Sequence, residues 1–195
     1  MKKDNNMKLF DKNLKDGVLS KTAYENILND CYKKNDKVFN SKSNNGKYKI
    51  SIIIPTHNRL EQLDQCINSI FNQNYKNIEI IIIDDVSTDK TQSKYKNIKD
   101  DRIVYIRNNK NLGMGLNRQK AFNVAKGDFV IFCDDDDYFI DNNYFSDAIT
   151  IFKDKSINVI CSSSYIHYEN DNTYQYYELN FNKKIKSLDN LERFQ

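Results

Sequence analysis

The sequence predicts an α/β protein in which helices cover both faces of a mainly parallel, Rossmann-like sheet, a three-layer α/β/α sandwich. Two observations support this prediction. From residue 48 onward, short β-branched stretches alternate with stretches of helical periodicity, and that order of elements produces βαβ units with parallel strands. The stretch 78–83 is almost continuously apolar, which is typical of a strand that is buried on both faces.

The chain of 195 residues is long enough for one such domain with an appendage. The pattern changes near residue 48, after a polar linker at 40–47. Before the linker, apolar side chains at helical spacing within 22–31 predict one amphipathic helix. We therefore divide the chain into a helical appendage with its linker, residues 1–47, and an α/β domain, residues 48–195.

The residues at the end of the first strand and at the start of the first helix indicate where these two elements of the α/β domain lie. Residues 48–54 form an apolar run that stops at Pro55, as a buried strand would. Asn58 and Glu61 resemble a capping box, so we expect the first helix to begin at Asn58. Apolar residues then recur at helical spacing as far as Phe71.

The later elements follow from the same two periodicities. Gly127 is expected to end the second long helix at its C-cap. The residues of that helix expected to face inward are Leu116, Ala121, Val124 and Ala125. The expected elements are strands at 78–83, 102–107, 129–133, 157–161 and 174–179, long helices at 114–125 and 143–152, and a short helix capped by the polar turn 84–91.

The composition argues against nucleic-acid binding, a membrane-spanning segment and secretion. A net charge of +3 is too balanced for nucleic-acid binding and gives little support to peripheral membrane association, which stays open. No apolar run approaches the roughly 20 residues that span a bilayer, and the N-terminus lacks the apolar core of a secretory signal. The four cysteines form no CxxC pair, which favours buried free thiols in a reducing compartment. We expect a cytoplasmic protein. If it associates with a membrane, we expect it at the inner face.

Acidic side chains follow two of the predicted strands. Asp84 and Asp85 come directly after the second strand, and four consecutive aspartates, 134–137, come after the fourth. Because parallel sheets bind ligands at the carboxyl ends of their strands, we expect these groups to converge with the loop 55–59. Two unit charges about 4 Å apart repel by roughly 4 kcal/mol at an effective dielectric of 20.

A divalent cation would remove that repulsion. Carboxylate oxygens are hard ligands that suit Mg²⁺ or Mn²⁺, and Mg²⁺ is usually held by one or two carboxylates together with substrate phosphates. The cluster therefore predicts a metal that bridges the protein and a diphosphate. The alternative is a solvated acidic turn without a ligand.

Four blocks of this sequence resemble the nucleotide-sugar glycosyltransferases of family 2, which have the GT-A fold. They are SIIIPTHNR (51–59), IIIIDDVSTDKT (80–91), NNKNLGMGLNRQKAFNVAKGDFVIF (108–132) and CDDDDYF (133–139). The same blocks occur in that family in the same order, and the order makes the resemblance specific. It implies a GT-A-like domain that transfers a sugar, with inversion, from a nucleoside-diphosphate sugar, UDP favoured, to a glycan or lipid-linked acceptor in surface polysaccharide synthesis.

The resemblance also implies roles for individual residues. The family's Asp-X-Asp metal motif matches 134–136, so the metal ligands would be Asp134 and Asp136, holding Mg²⁺ or Mn²⁺. Asp85 matches the acid that reads the base, and Arg118 either contacts phosphate or pairs with an aspartate. The residues implied to bind the nucleotide sugar are Pro55, Thr56, Asn58, Arg59, Asp84, Asp85, Arg118, Asp134 and Asp135.

An inverting transfer needs a general base that takes the proton of the acceptor hydroxyl. In the resembled family this base is a carboxylate well downstream of the metal motif. Glu178, Asp189 and Glu192 lie downstream, but none of them matches the base motif. We therefore leave the catalytic base unassigned and expect the chain to lack part of the acceptor region.

Other functions compete with this one. GMGLNR (113–118) superficially resembles a dinucleotide-binding GxGxxG motif, but its third glycine is Arg118 and a loop separates it from the preceding strand. A nucleotidyltransferase or a metal-dependent phosphohydrolase could also use clustered aspartates, although the loop 55–59 lacks the glycines that hold phosphates. A non-catalytic module that binds a nucleotide sugar or another protein is the remaining alternative.

Overall fold

The computed structural model describes residues 18–19, 47–153, 159–162 and 164–177. The chain divides into two compact units, Asn40–Ser156 and Met1–Phe39 with Ile157–Gln195. The predicted helix at 22–31 lies outside the described residues. The predicted boundary between residues 47 and 48 stays a prediction.

Between Ile50 and Ile151 the strands and helices alternate as the sequence predicts, whereas the strands at Val18–Leu19 and Ser164–Tyr168 were not expected. The elements are β1 (Val18–Leu19), β2 (Ile50–Thr56), α1 (Leu60–Phe71), β3 (Ile78–Asp84), α2 (Thr91–Tyr95), β4 (Ile103–Arg107), α3 (Gly113–Phe122), β5 (Phe129–Phe132), α4 (Tyr144–Ile151), β6 (Ser164–Tyr168) and β7 (Thr173–Tyr177).

The larger unit contains a four-stranded sheet with the strand order β4-β3-β2-β5. Every neighbouring pair is parallel, which confirms the predicted sheet. The two central strands, β2 and β3, are buried along their whole length. Their β-branched runs form strands because the branched side chains pack well on a pleated, fully covered surface.

Helices cover both faces of this sheet and confirm the three-layer architecture. Even-numbered isoleucines of β2 and β3 pack on one face with Leu63 of α1, Tyr95 of α2 and Phe145 of α4. Odd-numbered isoleucines pack on the opposite face with Ala121 of α3. The division follows from the period of two residues along a strand.

Helix α3 is rotated relative to the orientation that the sequence predicts. Leu116 and Val124 are 54% and 42% exposed, so the expectation that they face inward is wrong. Ala121 is fully buried and Ala125 packs beside its cluster, as expected. The other buried residue of the helix is Asn117, whose Oδ1 accepts a hydrogen bond of 2.6 Å from Asn108. A polar contact therefore replaces part of the expected apolar stripe.

Helix α1 begins at Leu60, and its start also differs from the prediction. Its N-cap is Arg59, without a side-chain cap, so no capping box forms. Asn58 instead adopts a positive φ of 56° and accepts a hydrogen bond of 2.6 Å from the backbone N–H of Thr88. The carboxylate of Asp89 takes over the capping role by accepting from the N–H of Leu60 at 3.2 Å.

Asp85 caps the start of α3 from the end of β3. Its carboxylate accepts from the backbone N–H groups of Leu112 and Gly113 at 2.8 and 2.9 Å, and from Asn108 Nδ2 at 2.9 Å. Gly113 has a φ of +75°, a conformation that other residues adopt only with strain. Burial raises the pKa of the Asp85 carboxyl, but these donors outweigh it and hold that pKa below its ordinary value.

The smaller unit contains an antiparallel sheet with the strand order β1-β7-β6. The predicted strand at 174–179 is observed as β7, and residues 178–179 lie outside the described part. The strand expected at 157–161 is wrong for residues 159–161, which are not in a strand, while 157–158 are not described. The rings of His167 and Tyr174 stack across β6 and β7 with centroids 4.3 Å apart.

The cysteines of the described residues are free, but only two are buried as expected. Cys66 and Cys133 are buried, whereas Cys161 is exposed. Of the helices within the described ranges, none combines the length and the apolar character needed to cross a bilayer.

Gly127 is required for close packing rather than for ending α3. The helix ends five residues earlier, and Gly127 has no positive φ. A Cβ atom at this position would lie 2.6 Å from both the backbone nitrogen and Oγ of Ser51, and 2.8 Å from the carbonyl oxygen of Lys49. The absence of a side chain lets the turn before β5 lie directly against β2.

We expect Gly127→Ala to lower the free energy of unfolding by about 2 kcal/mol or more, because backbone atoms of β2 cannot move aside. The matched control is Gly115→Ala, since a Cβ there meets nothing within 4 Å. That control should be neutral or raise stability by up to about 1 kcal/mol through helix propensity. Urea unfolding measures both. Equal effects would contradict the packing role of Gly127.

We expect Asp85→Asn to lower the free energy of unfolding at pH 7 by about 2 kcal/mol, because a neutral amide loses the ionised cap. The folded-state pKa of Asp85 lies below its ordinary value of 3.8. Its stabilisation is therefore complete above that value and disappears as the pH falls through the folded-state pKa. Urea unfolding at several pH values should show the wild-type advantage shrinking in acid. A constant advantage would contradict the charged cap, and Asp101→Asn, an exposed aspartate, is the control.

Candidate functional site

The candidate site lies at the carboxyl ends of the parallel strands. Thr56 at the end of β2 is in register with Asp84 at the end of β3, which is in register with Arg107 at the end of β4. Cys133, just after β5, donates its backbone N–H to the carbonyl of Ile53 at 3.0 Å. The strand order thus brings the predicted loop 55–59, the aspartate pair and the aspartate run to one edge.

Asp84 is completely buried, and its contacts lie within the protein. Its Oδ1 accepts from the backbone N–H of Ser87 at 2.7 Å, and its Oδ2 accepts from the hydroxyl of Tyr105. The guanidinium Nε of Arg107 lies 3.5 Å from the same Oδ2. The carboxylate therefore anchors the loop that follows β3 to strand β4.

The two loops that follow β2 and β3 are joined by short polar contacts. Asn58 donates its backbone N–H to Ser87 Oγ at 3.0 Å and accepts from Thr88, and His57 Nδ1 lies 2.7 Å from the carbonyl oxygen of Asp85. Val86 has a φ of 67°, a strained conformation for a β-branched residue. These contacts hold the backbone on either side of Asn58, next to Arg59.

Two arginines pair with three of the four aspartates of the run. Arg59 Nη1 lies 3.2 Å from Asp135 Oδ1 and 2.6 Å from Asp136 Oδ2. Arg118 of α3 donates to Asp134 Oδ1. The run therefore meets guanidinium groups from two different segments of the chain. Arg118 thus pairs with an aspartate, and its contact with phosphate stays a prediction.

The aspartates of the run differ in their environment. The side chain of Asp135 is 8% exposed and that of Asp136 is 53% exposed. Burial raises the pKa of Asp135, against the opposing effects of the Thr56 hydroxyl and Arg59. Burial, together with the neighbouring aspartates, also raises the pKa of Asp137. The negative charges of Asp135 and, to a smaller extent, Asp136 raise the pKa of Arg59. This arginine therefore remains a cation.

The chemistry of the run fits a divalent metal only if the metal finds further ligands elsewhere. In the part of the chain that the structure describes, no group of three or more His, Cys, Asp or Glu side chains could hold a metal ion. The carboxylates of the run are nevertheless hard oxygen donors. A cation such as Mg²⁺ needs one or two of these when substrate phosphates complete its coordination.

Several residues that shape this edge were not selected from the sequence. Tyr105 and Arg107 hold Asp84, while Asn108 and Asn117 form a buried pair beside Asp85. The only available signal was that Arg107 ends a predicted strand and Asn108 follows it, as the selected aspartates follow theirs. Asn117 carried no signal, because an Asn within a helical stretch is normally exposed.

The comparisons with known proteins agree with this architecture. A model of the glycosyl transferase family 2 matches residues 51–194. The chain is 46% identical over 92 residues to the GalNAc(5)-diNAcBac-PP-undecaprenol beta-1,3-glucosyltransferase of Campylobacter jejuni, a match covering 46% of this chain and 30% of that protein. It is 44% identical over 91 residues to the UDP-Glc:alpha-D-GlcNAc-diphosphoundecaprenol beta-1,3-glucosyltransferase WfaP of Escherichia coli, covering 47% and 36%.

A longer match is with the glycosyltransferase GlyA of Streptococcus pneumoniae. It is 30% identical over 149 residues and covers 75% of this chain but 21% of that protein. The chain thus spans between 21% and 36% of the length of these three relatives.

Solved structures share the fold at low sequence identity. The mannosyltransferase PcManGT of Pyrobaculum calidifontis, in complex with GDP-Man and Mn²⁺, superposes with a TM-score of 0.56 at 19% identity and covers 70% of this chain and 42% of that one. Residues 1–349 of TarS from S. aureus give a TM-score of 0.50 at 23% identity and cover 66% and 47%. These likenesses confirm the GT-A fold, and with the match over residues 51–194 the chain belongs to glycosyltransferase family 2.

Proposed function

We propose that this chain is the donor-binding part of a metal-dependent glycosyltransferase that takes a sugar from a nucleoside-diphosphate sugar. One observation carries the proposal. Arg59, from the loop after β2, lies within 3.2 Å of Asp135 and 2.6 Å of Asp136, which follow β5. The sheet edge thus combines basic groups for a diphosphate with hard oxygen ligands for its metal.

In this proposal Asp134 and Asp136 hold Mg²⁺ or Mn²⁺ together with the diphosphate. When bound, the metal neutralises the charge that develops on the leaving diphosphate. Arg118 and Arg59 bind phosphate oxygens, because a guanidinium group matches two of them at once. The carboxylate near the ribose is that of Asp134 or of Asp135, the latter being buried beside Thr56. The other residues proposed to line the nucleotide site are Pro55, Thr56, Asn58, Asp84 and Asp85.

The names of two relatives support the proposed donor and acceptor. WfaP uses UDP-Glc, and both it and the Campylobacter jejuni enzyme act on undecaprenol-linked glycans. We therefore favour a UDP-sugar as donor and a glycan or lipid-linked acceptor in surface polysaccharide synthesis. A lipid-linked acceptor would bring the enzyme to a membrane surface, and we propose the cytoplasmic face.

We further propose that transfer inverts the anomeric centre. Inversion needs a base that accepts the proton of the acceptor hydroxyl as the sugar is transferred. We assign no such base, because Glu178, Asp189 and Glu192 do not match the base motif of the resembled family and lie outside the described residues.

We expect UDP to bind the chain more tightly with Mn²⁺ than without it, and Asp136→Ala to remove this dependence. Loss of a metal ligand should weaken UDP binding in Mn²⁺ at least about tenfold. Isothermal titration calorimetry with and without Mn²⁺ measures both quantities. Asp101→Ala, at an exposed aspartate just before β4, is the control. If neither Mn²⁺ nor the Asp136 substitution changes the affinity for UDP, the metal site is ruled out.

We expect the chain with Mn²⁺ to release UDP from at least one of UDP-Glc, UDP-Gal and UDP-GlcNAc, and to act more slowly on GDP-Man. Coupled detection of the released nucleoside diphosphate measures this. A chain that binds these donors but releases nothing would be a binding module. A nucleotidyltransferase would instead consume UTP with a sugar phosphate and release pyrophosphate.

A further inference from the structure

We propose that Arg59 is an internal counter-ion that holds the proposed metal ligand Asp136, together with its neighbour Asp135, until the metal arrives and then transfers to the diphosphate. This inference rests on the proposed function. It adds a positioning role for Arg59 in ordering the binding of metal and donor.

The geometry of Arg59 resembles that of a bridging cation. A single nitrogen, Nη1, lies 3.2 Å from Asp135 Oδ1 and 2.6 Å from Asp136 Oδ2. The bridge joins parts of the chain that are 76 and 77 residues apart. Of these two carboxylates, Asp136 is one of the metal ligands that the proposed function assigns. A metal ion held by Asp136 would compete with Arg59 for that carboxylate, so it cannot bind fully while Arg59 keeps this contact.

The surroundings of Arg59 allow the exchange. Its backbone is the N-cap of α1 and adjoins Asn58, which is fixed to the loop after β3 by several hydrogen bonds. Its side chain is 50% exposed and is held by the two carboxylates alone among the contacts described. The guanidinium group can therefore turn without any movement of the helix.

Charge gives the exchange a direction. Without a cation, the desolvated Asp135 and its neighbour Asp136 would repel each other, and Arg59 removes that cost. A divalent metal held by Asp136 would supply more positive charge there, and Arg59 would then be free to leave both carboxylates. The freed guanidinium group then lies beside the diphosphate, where it can make two parallel hydrogen bonds to phosphate oxygens.

Arg118 is less suited to this role. It pairs with a single carboxylate, that of the other proposed metal ligand Asp134, whereas Arg59 bridges two. Its side chain is 32% exposed, against 50% for Arg59.

The proposal predicts opposite effects of one substitution on two ligands. Arg59→Gln removes the competing cation, so the Mn²⁺ concentration for half-saturation without nucleotide should fall roughly three- to tenfold. The same substitution removes a phosphate contact, so UDP in saturating Mn²⁺ should bind about tenfold more weakly. Electron paramagnetic resonance of free Mn²⁺ measures the first quantity, and calorimetry measures the second.

Two further variants test the specificity of these effects. Arg102→Gln makes the same charge change and also breaks a pair with an aspartate, Asp100, but just before β4, at the opposite end of that strand. It should change neither affinity. Arg59→Lys keeps the positive charge but loses the planar fork, so Mn²⁺ affinity should stay near the wild-type value while UDP binding weakens. Thermal melting shows whether Arg59→Gln folds. If it does not fold, Arg59→Lys still tests the loss of the phosphate contact.

The outcomes separate this inference from the proposed function. Mn²⁺-dependent UDP binding in the wild type, with Mn²⁺ affinity in Arg59→Gln no higher than in Arg102→Gln, would overturn the exchange and leave the proposed function standing. A fall in both affinities in Arg59→Gln would make Arg59 a structural support and overturn the exchange as well. A wild type that binds UDP without any effect of Mn²⁺ would overturn both proposals.

Discussion

The burial of two adjacent carboxylates at the end of β3 is the constraint on which this sheet edge depends. Asp84 is completely buried and Asp85 nearly so, and a buried carboxylate is costly unless donors surround it. Those donors come from separate elements: Ser87 and Tyr105 for Asp84, and Asn108 with the start of α3 for Asp85. Satisfying these two charges therefore positions strand β4, the following loop and helix α3 together.

The aspartate run after β5 solves the same electrostatic problem in a different way. Asp85 is satisfied by backbone and amide donors that are part of the fold, whereas Asp134, Asp135 and Asp136 face guanidinium groups on flexible side chains. Donors that belong to the backbone cannot leave without unfolding, but a half-exposed arginine can. We therefore regard the first pair as permanent framework and the run as the part of the edge that can exchange its partners for ligands.

Two errors in the sequence-based predictions, those for Asn58 and Gly127, have a common cause. Asn58 was expected to cap its own helix, but it bonds to Thr88, which lies 30 residues away. Gly127 was expected to end a helix, but a glycine is needed there because Ser51, 76 residues away, leaves no space for a side chain. Capping and turn rules consider only neighbours in the chain, so they cannot show that a distant segment will compete for the same polar group or occupy the same space.

The sequence by itself determined the parallel α/β sheet, the strands that form its centre and the edge at which the acidic groups gather. These properties follow from local periodicity, because a β-branched run buried on both faces is specified by its own side chains and the residues after such strands must share one edge. Only the tertiary structure decided which carboxylate meets which partner. The ion pairs of the aspartate run join residues from 16 to 77 positions apart, and their geometry exists only once the strands have been brought side by side.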